Sequence, residues 1–301
     1  MNLYKSLIFI LYLGIFLGSG FRTPAQSRDS ITLYGTLDTV QVIRQRIQHA
    51  NEANAGARVT HISPAVLQAN KTRSLAELLT DHTSIYIKSL GTGALSTASF
   101  RGTSASQTRV NWNGINITPP LSGTFDFSQI PVFFTDNINL YYGSSHVKNG
   151  TGAIGGSVNL FTDTDWNRGV NGRVLAEYGS YNTYTVGGQA NISGNKSASK
   201  TRLYYQHSDN DYTYLNKVLT NTPFREKRQD AAYSQFGIMQ EGYFRVSPYT
   251  RLTAVAWYQK NYRNLPQPLG VVNRSQEDQE ENNFRGYAGL DFSRGIHELH
   301  V

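Results

Sequence analysis

Residues 140–162 read LYYGSSHVKNGTGAIGGSVNLFT, and the organisation of the whole chain can be worked out from this stretch. An aromatic, β-prone run ends at Tyr142, and a second β-prone run covers residues 157–161. Glycine is dense between and beside these runs, which permits positive φ angles and close backbone approach; the glycines are Gly143, Gly150, Gly152, Gly155 and Gly156. The stretch therefore predicts a strand, a tight irregular loop and a second strand.

The same loop contains the pattern G-x-G-x-x-G at Gly150, Gly152 and Gly155. A dinucleotide site of this kind needs a helix directly after the glycines and an acidic residue about 20 positions further on. Here the β-alternating sequence Val-Asn-Leu follows at residues 158–160, and position 175 is a leucine. The pattern therefore predicts a glycine-bent turn between strands and not a nucleotide site.

Composition restricts the class of protein. Only 16% of the 301 residues are charged and 12% are aromatic, which is unlike a disordered chain and suits a β-rich protein with amphipathic aromatics. The absence of cysteine rules out disulfides and thiolate zinc sites. The net charge of +7 is spread along the chain, whereas a nucleic-acid binder concentrates Lys and Arg on one element. We therefore expect no nucleic-acid partner.

The N-terminus has the pattern of a secretory signal peptide. Lys5 precedes an apolar run over residues 7–17, which is followed by Gly-Ser-Gly at 18–20 and by Thr-Pro-Ala at 23–25. The run is too short to span a bilayer as a stop-transfer helix, although a retained anchor is the alternative. We predict a signal peptide over residues 1–25 and a mature chain that starts at Gln26.

Six short motifs precede or overlap the opening stretch, and they occur in a fixed order: Ser99-Phe100-Arg101-Gly102, Gln107-Thr108-Arg109-Val110, Trp112-Asn113-Gly114-Ile115, Ile130-Pro131, Tyr142-Gly143-Ser144 and Gly152-Ala153-Ile154-Gly155-Gly156-Ser157-Val158-Asn159. This series resembles the plug domain of TonB-dependent outer-membrane receptors, over about residues 37–162. The resemblance assigns structural and barrel-contact roles to eight plug positions: Arg101, Gly102, Arg109, Asn113, Gly114, Gly152, Gly155 and Gly156. It implies that Arg101 and Arg109 face the barrel wall; the alternative is that they are surface arginines.

The resemblance also implies a partner-binding segment ahead of the plug. An exposed run of alternating Thr and Val favours an extended strand, and an edge strand can pair with another chain. Such a run stands in the place of the TonB box, the strand that family members add to a TonB-type periplasmic energy transducer; its residues are Leu37, Asp38, Thr39, Val40, Gln41 and Val42. An ordinary short strand is the alternative.

Within the predicted plug, several local signals specify elements. Ser63 and Pro64 predict the start of a short helix, and the capping box from Ser74 to Glu77 predicts a second helix that ends near His82. Strands are predicted over residues 58–62 and 85–88. Asn113-Gly114 between β-prone flanks is a strong hairpin signal. Where the family usually has Pro-Gly before the strand at 85–88, this chain has Thr83-Ser84.

After Asp163 the pattern changes to sets of about ten residues that are apolar on one side and polar on the other, as in transmembrane β-barrels. The clearest sets cover residues 170–178, 184–192 and 284–292, and weaker ones cover 201–207, 235–246 and 251–260. Polar loops are predicted over 208–232 and 261–281. A soluble β-sandwich would show the same period, but the signal peptide and the adjacent plug motifs favour the membrane.

The strands do not suffice for a closed barrel around a plug. About six strands fit after Asp163, with a seventh beginning near Ile296, whereas plugged transporters have roughly 22. We therefore expect an α+β plug domain followed by antiparallel transmembrane β-barrel strands that form an incomplete barrel, in a C-terminally truncated chain. The expected parts are a signal peptide (1–25), a periplasmic lead-in (26–56), a plug (57–162) and barrel strands (163–301). A small barrel assembled from several chains is the alternative.

No catalytic constellation is evident. The sequence His297-Glu298-Leu299-His300 departs from H-E-x-x-H, and strand geometry puts its two histidines on opposite faces. Neither a phosphate loop nor a nucleophile elbow is present. We expect no catalytic residue, no metal site and no cofactor.

The resemblance implies energised uptake of a large, scarce external ligand across the outer membrane of a Gram-negative bacterium. The ligand would be an iron-siderophore, cobalamin or oligosaccharide, and outer-membrane lipid would surround the strands. The resemblance assigns no ligand-binding residues. The alternatives are a non-transporting signalling or adhesion receptor and, less favoured, an enzyme on a small barrel.

Overall fold

The computed structural model describes residues 58–143, 153–218, 222–267, 276–294 and 297–300. The first part of the described chain, which we call the plug, contains two helices, seven strands and three short 3₁₀ turns. In chain order the helices and strands are β1 (Arg58–His61), α1 (Pro64–Ala69), α2 (Leu75–His82), β2 (Tyr86–Ser89), β3 (Ser96–Ser99), β4 (Thr108–Trp112), β5 (Ile115–Asn116), β6 (Asn137–Tyr142) and β7 (Gly156–Phe161).

Five of these strands form the central sheet of the plug, in the order β1-β6-β7-β4-β5. The β4–β7 pair is parallel, and the other neighbours are antiparallel. The two strands predicted in the opening stretch are β6 and β7, which pair side by side, so that prediction is confirmed. The buried residues of these strands belong to one core with those of α2; they include Val110, Leu140, Val158, Leu75, Leu78 and Leu79.

The helix starts were correctly predicted because their caps are local. Ser63 Oγ accepts a hydrogen bond from the amide of Val66 at 3.3 Å, with Pro64 as the first helical residue. Ser74 and Glu77 form the complete capping box, in which Ser74 N donates to Glu77 Oε2 at 2.8 Å. These bonds satisfy amides that the first helical turn leaves without partners.

The Asn113-Gly114 turn joins β4 to β5, as predicted. Asn113 has a φ of 48° and Gly114 a φ of 86°, the left-handed pair that a two-residue hairpin turn requires. The Asn113 side chain also donates to Thr162 Oγ1 at 2.9 Å and accepts from the Thr162 amide at 2.9 Å. The turn is thereby tied to the end of β7.

The second part of the described chain consists of strands. In chain order they are β8 (Gly169–Gly179), β9 (Thr183–Ser193), β10 (Ser197–Ser208), β11 (Thr213–Asn216), β12 (Phe224–Lys227), β13 (Tyr233–Ser247), β14 (Thr250–Leu265), β15 (Glu277–Arg294) and β16 (His297–His300). All except β11 and β12 form one antiparallel sheet of seven strands, which we call the wall sheet, with its strands in chain order. In the described residues, β8 and β16 are the two ends of this sheet.

The wall sheet agrees with the strand predictions. All six strands predicted after Asp163 are present, and the seventh begins at His297, next to the predicted position. The fold class, an α+β plug followed by antiparallel wall strands, is confirmed. None of the helices in the described part of the chain is long and apolar enough to span a bilayer.

The two faces of the wall sheet differ as the alternation predicts. One face covers the plug, and on β10 and β13 its side chains are buried. The other face is exposed and carries apolar side chains such as Val174, which is 81% exposed, and Phe284, which is 74% exposed. An apolar outer face is what a lipid-facing wall requires.

Two predicted loops contain more regular structure than expected. Residues 208–232 include a separate hairpin of β11 and β12, in which Tyr214 and Asn216 both donate to Glu226 across the pair. In residues 261–281, β14 and β15 extend further, supported by cross-strand polar pairs such as Arg263 with Gln279 at 2.7 Å. Polar pairs hold these segments, so they lack the apolar alternation by which strands were predicted.

Candidate functional site at the plug–wall interface

The wall sheet meets the plug through alternate residues of its strands. Side chains two apart on a strand lie on the same face, so Lys200, Arg202 and Tyr204 of β10 all point toward the plug. Glu241 and Tyr243 of β13 do the same, and Arg202 and Glu241 have no exposed side-chain surface. Charged groups buried to this degree need partners, and the plug supplies part of them.

An aromatic contact lies beside these charges. The short 3₁₀ turn Val132–Phe134 of the plug presents two phenyl rings to the wall. The ring centroid of Phe133 lies 5.8 Å from that of Tyr204, and the centroid of Phe134 lies 5.3 Å from that of Trp257. Burying a Phe side chain contributes about 1.5–3 kcal/mol, so these rings are a substantial part of the contact.

Gly237 of β13 makes room for one of these rings. A Cβ atom at this position would lie 2.6 Å from the ring of Phe134, which is closer than atoms approach without a shift. Beside it, Trp257 of the wall meets Trp112 of the plug edge to face, with centroids 5.5 Å apart. The absence of a side chain at Gly237 is therefore part of the shape of the interface.

The charged residues form a connected group, the Asp136 cluster, which consists of Asp136 and Lys71 of the plug and Lys200, Arg202 and Glu241 of the wall. Asp136 Oδ2 accepts hydrogen bonds from Lys200 Nζ at 3.0 Å, from Arg202 Nη2 and from the amide of Asp163 at 2.9 Å. Lys200 Nζ also donates to the carbonyl of Asp163. One carboxylate oxygen thus joins the plug, the wall and the segment that links them.

Arg202 contacts both the plug and Glu241, which is a carboxylate of the wall. Its Nη1 donates to the carbonyl of Phe133 at 2.9 Å, and its Nε lies 3.0 Å from Glu241 Oε1. The hydroxyl of Tyr243 donates to Glu241 Oε2 at 2.5 Å. Breaking a buried pair of this kind by removing one partner typically costs about 3–5 kcal/mol, because the other charge stays buried.

Lys71 completes the cluster from the plug side. Its Nζ donates to the carbonyl of Thr135 at 2.5 Å and to that of Val132 at 3.4 Å. Burial lowers the pKa of Lys71 to about 8, although Asp136 acts in the opposite direction. Burial alone would raise the pKa of Asp136, but Arg202, Lys200 and Lys71 outweigh it and hold that pKa well below its usual range.

Further polar contacts follow the interface toward the long loops. Arg263 of β14 pairs with Asp126 of the plug at 2.7 Å, and both side chains are nearly buried. Gln235 of β13 donates to the carbonyl of Ser128 at 2.9 Å, and Tyr204 donates to that of Thr72 at 3.0 Å. The interface is therefore largely hydrogen-bonded, apart from the aromatic contact.

The predicted plug residues differ in their surroundings. Arg101 is exposed, has a φ of 50° and lies over the ring of Tyr142 of the plug at 6.0 Å, while Arg109 is half-buried on β4. Gly102 and Gly114 have positive φ. The wall contact of Arg101 and Arg109 stays a prediction.

Two of the described glycines of the opening stretch, Gly155 and Gly156, contact neighbouring residues closely. The amide of Gly155 donates to the carbonyl of Gln107 at 3.1 Å. A Cβ at Gly155 would overlap Thr103 Oγ1, and one at Gly156 would meet the carbonyl of Tyr141 at 2.5 Å. Gly152, the signal peptide and the segment Leu37, Asp38, Thr39, Val40, Gln41 and Val42 lie outside the described residues.

Sequence reasoning missed the Asp136 cluster. The resemblance placed two arginines of the plug, Arg101 and Arg109, against the wall. Here the plug supplies the carboxylate of Asp136, and the wall supplies Lys200 and Arg202. One signal was available: Lys200 and Arg202 are two apart on a strand, so they share the inward face. Their partner could not be read from the sequence, because Asp136 lies 64 positions from Lys200 and 66 from Arg202.

The comparisons with known proteins agree with the fold of the plug and of the wall sheet. Residues 51–157 match the family model of the TonB-dependent Receptor Plug Domain. The chain is 32% identical over 135 residues to the vitamin B12 transporter BtuB of Photobacterium profundum, a match that covers 45% of this chain and 22% of the relative. The BtuB of Vibrio cholerae serotype O1 (strain M66-2) is 32% identical over 126 residues, covering 42% and 20%. The matches thus span about a fifth of the length of these curated relatives.

Solved structures share the fold at low sequence identity. The ferripyoverdine receptor FpvA of P. aeruginosa superposes with a TM-score of 0.62 at 15% identity, over 81% of this chain and 33% of that one. The ferric enterobactin receptor PfeA of Pseudomonas aeruginosa, in a mutant form, gives a TM-score of 0.61 at 12% identity, over 83% and 40%. The matched relatives are transporters and receptors, in agreement with the prediction that the chain is not an enzyme. Residues 51–157 are therefore identified as a plug domain of the TonB-dependent receptor type, and the strands that follow share the fold of the barrel wall in the superposed receptors.

Proposed function

We propose that this chain acts in the uptake of a large, scarce ligand across the outer membrane, energised by a TonB-type periplasmic transducer. In this proposal residues 57–162 are the plug, residues 163–301 are wall strands, and the ligand binds on the side of the long loops. The transducer pulls on the segment ahead of the plug, and the plug is then displaced or partly unfolded.

The observation that carries this proposal is the polar character of the plug–wall interface. When an apolar contact separates in water, the newly exposed surface forms no hydrogen bonds with water that would offset the cost of its exposure. The carboxylates, amines and guanidinium groups of the Asp136 cluster and of the Arg263–Asp126 pair can be hydrated when the plug leaves them. Polar interfaces of this kind are typical of domains that move relative to one another, and the interface therefore suits a plug that is displaced and returns.

The proposed contact with the transducer is strand addition. Residues Leu37, Asp38, Thr39, Val40, Gln41 and Val42 form the proposed TonB box in the lead-in over residues 26–56, after a signal peptide over residues 1–25. In strand addition the main-chain hydrogen bonds supply the affinity, and a single missing amide donor weakens the pairing.

Among the related proteins, BtuB is named a vitamin B12 transporter, and FpvA is named with bound pyoverdines. By analogy, the ligand of this chain is an iron-siderophore, cobalamin or oligosaccharide. Cobalamin is the first ligand to test, because the curated relatives with higher sequence identity carry that name.

The experiment is energised uptake of labelled cobalamin by cells that express the receptor containing this chain, with Val40→Pro as the test variant. Proline removes a ladder donor, so uptake should be lost while binding of the ligand to de-energised cells persists. Val40→Thr keeps the amide and the preference for strand, and serves as the matched control. Unchanged uptake in Val40→Pro would exclude residues 37–42 as the pulled segment. If wild-type cells neither bind nor take up cobalamin, the same pair of variants is measured with iron-siderophores and oligosaccharides.

A further inference from the structure

Two small hairpins lie apart from the main sheets in the described residues, and both approach the same point of the interface. The plug hairpin consists of β2 and β3, and the loop hairpin consists of β11 and β12. Within the described chain each is a two-stranded sheet without a further hydrogen-bonded strand, so each can shift without breaking a large sheet. The loop hairpin lies at the end of the wall sheet that carries the long connections, which in outer-membrane barrels is the extracellular end.

Asn210 at the base of the loop hairpin bonds to the plug. Its side-chain amide donates to the carbonyl of Thr92, in the turn of the plug hairpin, at 3.0 Å and to the carbonyl of Ala231 at 3.2 Å. Asn210 is 7% exposed and has a φ of 50°, a left-handed conformation that asparagine tolerates better than most residues. One side chain thus joins both limbs of the loop connection to the plug.

Tyr233 makes the second contact to the same turn. It is the first residue of β13 and is 6% exposed. Gly93 has a φ of 69°, and a Cβ at that position would overlap the Tyr233 ring. The turn of the plug hairpin therefore lies directly against this ring, and no side chain separates them.

Space for movement exists beside this contact. A cavity of about 160 Å³ lies between α2, the turn of the plug hairpin and the wall, and Glu77, Thr92, Gly93, Tyr233 and Gln235 are among its lining residues. That volume equals roughly five water molecules in the liquid. The turn of the plug hairpin therefore has unfilled space beside it.

We propose that Asn210 is a positioning residue that links the loop hairpin to the plug hairpin, so that the two shift together, and that Tyr233, at which the loop connection enters β13, packs against the same turn. A ligand that displaces the loop hairpin from outside then displaces the turn at Thr92 and Gly93 of the plug. Its role in uptake rests on the proposed function, but the link itself does not require a ligand or a transducer.

The link is tested by distance measurements between spin labels in the purified receptor in detergent. This chain contains no cysteine, so labels attach to it only at introduced ones. Leu90 on the plug hairpin is 67% exposed and Leu215 on the loop hairpin is 50% exposed, and both accept a label without disturbing a core. Val174 and Ile238, on the outer face of the wall sheet, form the control pair.

The test variants are Asn210→Gly, which keeps the left-handed backbone but removes the donor, and Asn210→Asp, which keeps the shape but also lacks the donor. Gln206→Ala is the matched control, because Gln206 lines the same cavity but bonds to Thr185 within the wall. The width of the Leu90–Leu215 distribution should grow about twofold in both test variants, as for a segment released into local motion. The control pair and Gln206→Ala should stay unchanged.

An unchanged Leu90–Leu215 distribution in both test variants would overturn the proposal. Broadening of the control pair in both variants would overturn it too, because Asn210 would then support the wall in general. Since no ligand is involved, loss of the link and loss of uptake are separate results: a receptor can fail to transport cobalamin while its two hairpins remain linked.

Discussion

Asp136 of the plug accepts a hydrogen bond from Arg202 of the wall, so at this contact the plug provides the negative charge and the wall the positive charge. The same carboxylate oxygen also accepts from Lys200 and from the amide of Asp163. The guanidinium of Arg202 is shared with Glu241, which has no exposed side-chain surface. Removal of Asp136 therefore affects two buried cations and the link between plug and wall at once.

Asp136→Asn should destabilise the docked plug by about 3 kcal/mol, because Arg202 and Lys200 stay buried with one carboxylate fewer. The measurement is hydrogen exchange of the amides in the plug, which should become faster around Asp163. Asp165→Asn is the control, since its pair with Arg168 at 3.7 Å is exposed and contributes little. Equal exchange in the two variants would contradict the role assigned to Asp136.

Protonation of Asp136 should destabilise the docked plug as Asp136→Asn does, but only below about pH 3.8. The pKa of Asp136 is held below its usual range, so its contribution is present above the ordinary pKa of 3.8 and is lost as the pH falls through the lower folded value. Wild type and Asp136→Asn should therefore differ in stability by about the same amount at pH 5 as at pH 7. Below pH 3.8 the difference should shrink, and a difference that stayed constant there would be inconsistent with the depressed pKa.

Lys71 should give a pH dependence of the opposite kind. Burial lowers its pKa from 10.5 to about 8, so the fold disfavours the charged amine. The unfolded chain then binds more protons between these values, and stability should rise with pH across that window, by up to roughly 3 kcal/mol. The check is the difference in stability between wild type and Lys71→Met from about pH 7 to about pH 11, since tyrosine titration is common to both. A difference that does not change with pH would show that Lys71 has an ordinary pKa.

Gly237→Ala should loosen the aromatic contact, because the new Cβ would lie 2.6 Å from the Phe134 ring. Overpacking of this kind costs about 1–3 kcal/mol. Gly188→Ala on β9 is the matched control, since a Cβ there meets nothing within 4 Å. Tryptophan fluorescence during thermal unfolding reports the change, because Trp257 packs against Phe134. Adding Phe134→Leu to Gly237→Ala should recover part of the loss, and a strictly additive double variant would argue against this contact.

Asn113→Gly should separate the two roles of this residue. Glycine keeps the left-handed turn between β4 and β5 but loses both hydrogen bonds to Thr162, at a cost of about 1–2 kcal/mol. Asn113→Ala should cost more, because alanine is also strained at a φ of 48°. Chemical denaturation of the receptor with each variant gives the order, and equal stabilities would mean that the backbone conformation at Asn113 is unimportant.

The elements that sequence reasoning predicted well are those specified by neighbouring residues. The capping box of Ser74 and Glu77, the Asn113-Gly114 turn and the alternation in β8 and β9 each act within a few positions. The loop hairpin was missed because polar pairs such as Tyr214 with Glu226 hold it, and such pairs leave no apolar pattern. The order β1-β6-β7-β4-β5 of the plug sheet also depends on contacts distant in sequence.

The candidate site was less predictable than the fold. The alternation along β10 shows that Lys200 and Arg202 lie on its inward face, but it does not show which residues they contact. Asp136 follows the 3₁₀ turn Val132–Phe134, and its place against the wall is set by the two phenyl rings before it. Only the assembled plug and wall bring this carboxylate to the cations, so the reversed sign of charge at this contact could not be derived from the sequence.

The chain leaves the plug at Asp163, which lies at the Asp136 cluster and bonds to both Asp136 and Lys200. If the plug is pulled as proposed from the segment ahead of it, the contacts far from Asp163 separate first, so the plug tilts about this edge before the Asp136 cluster is hydrated. The aperture would then be crescent-shaped and eccentric, widest opposite β10 and β13. The largest molecule that can pass would then be limited by how far the plug tilts and not by the inner diameter of the barrel.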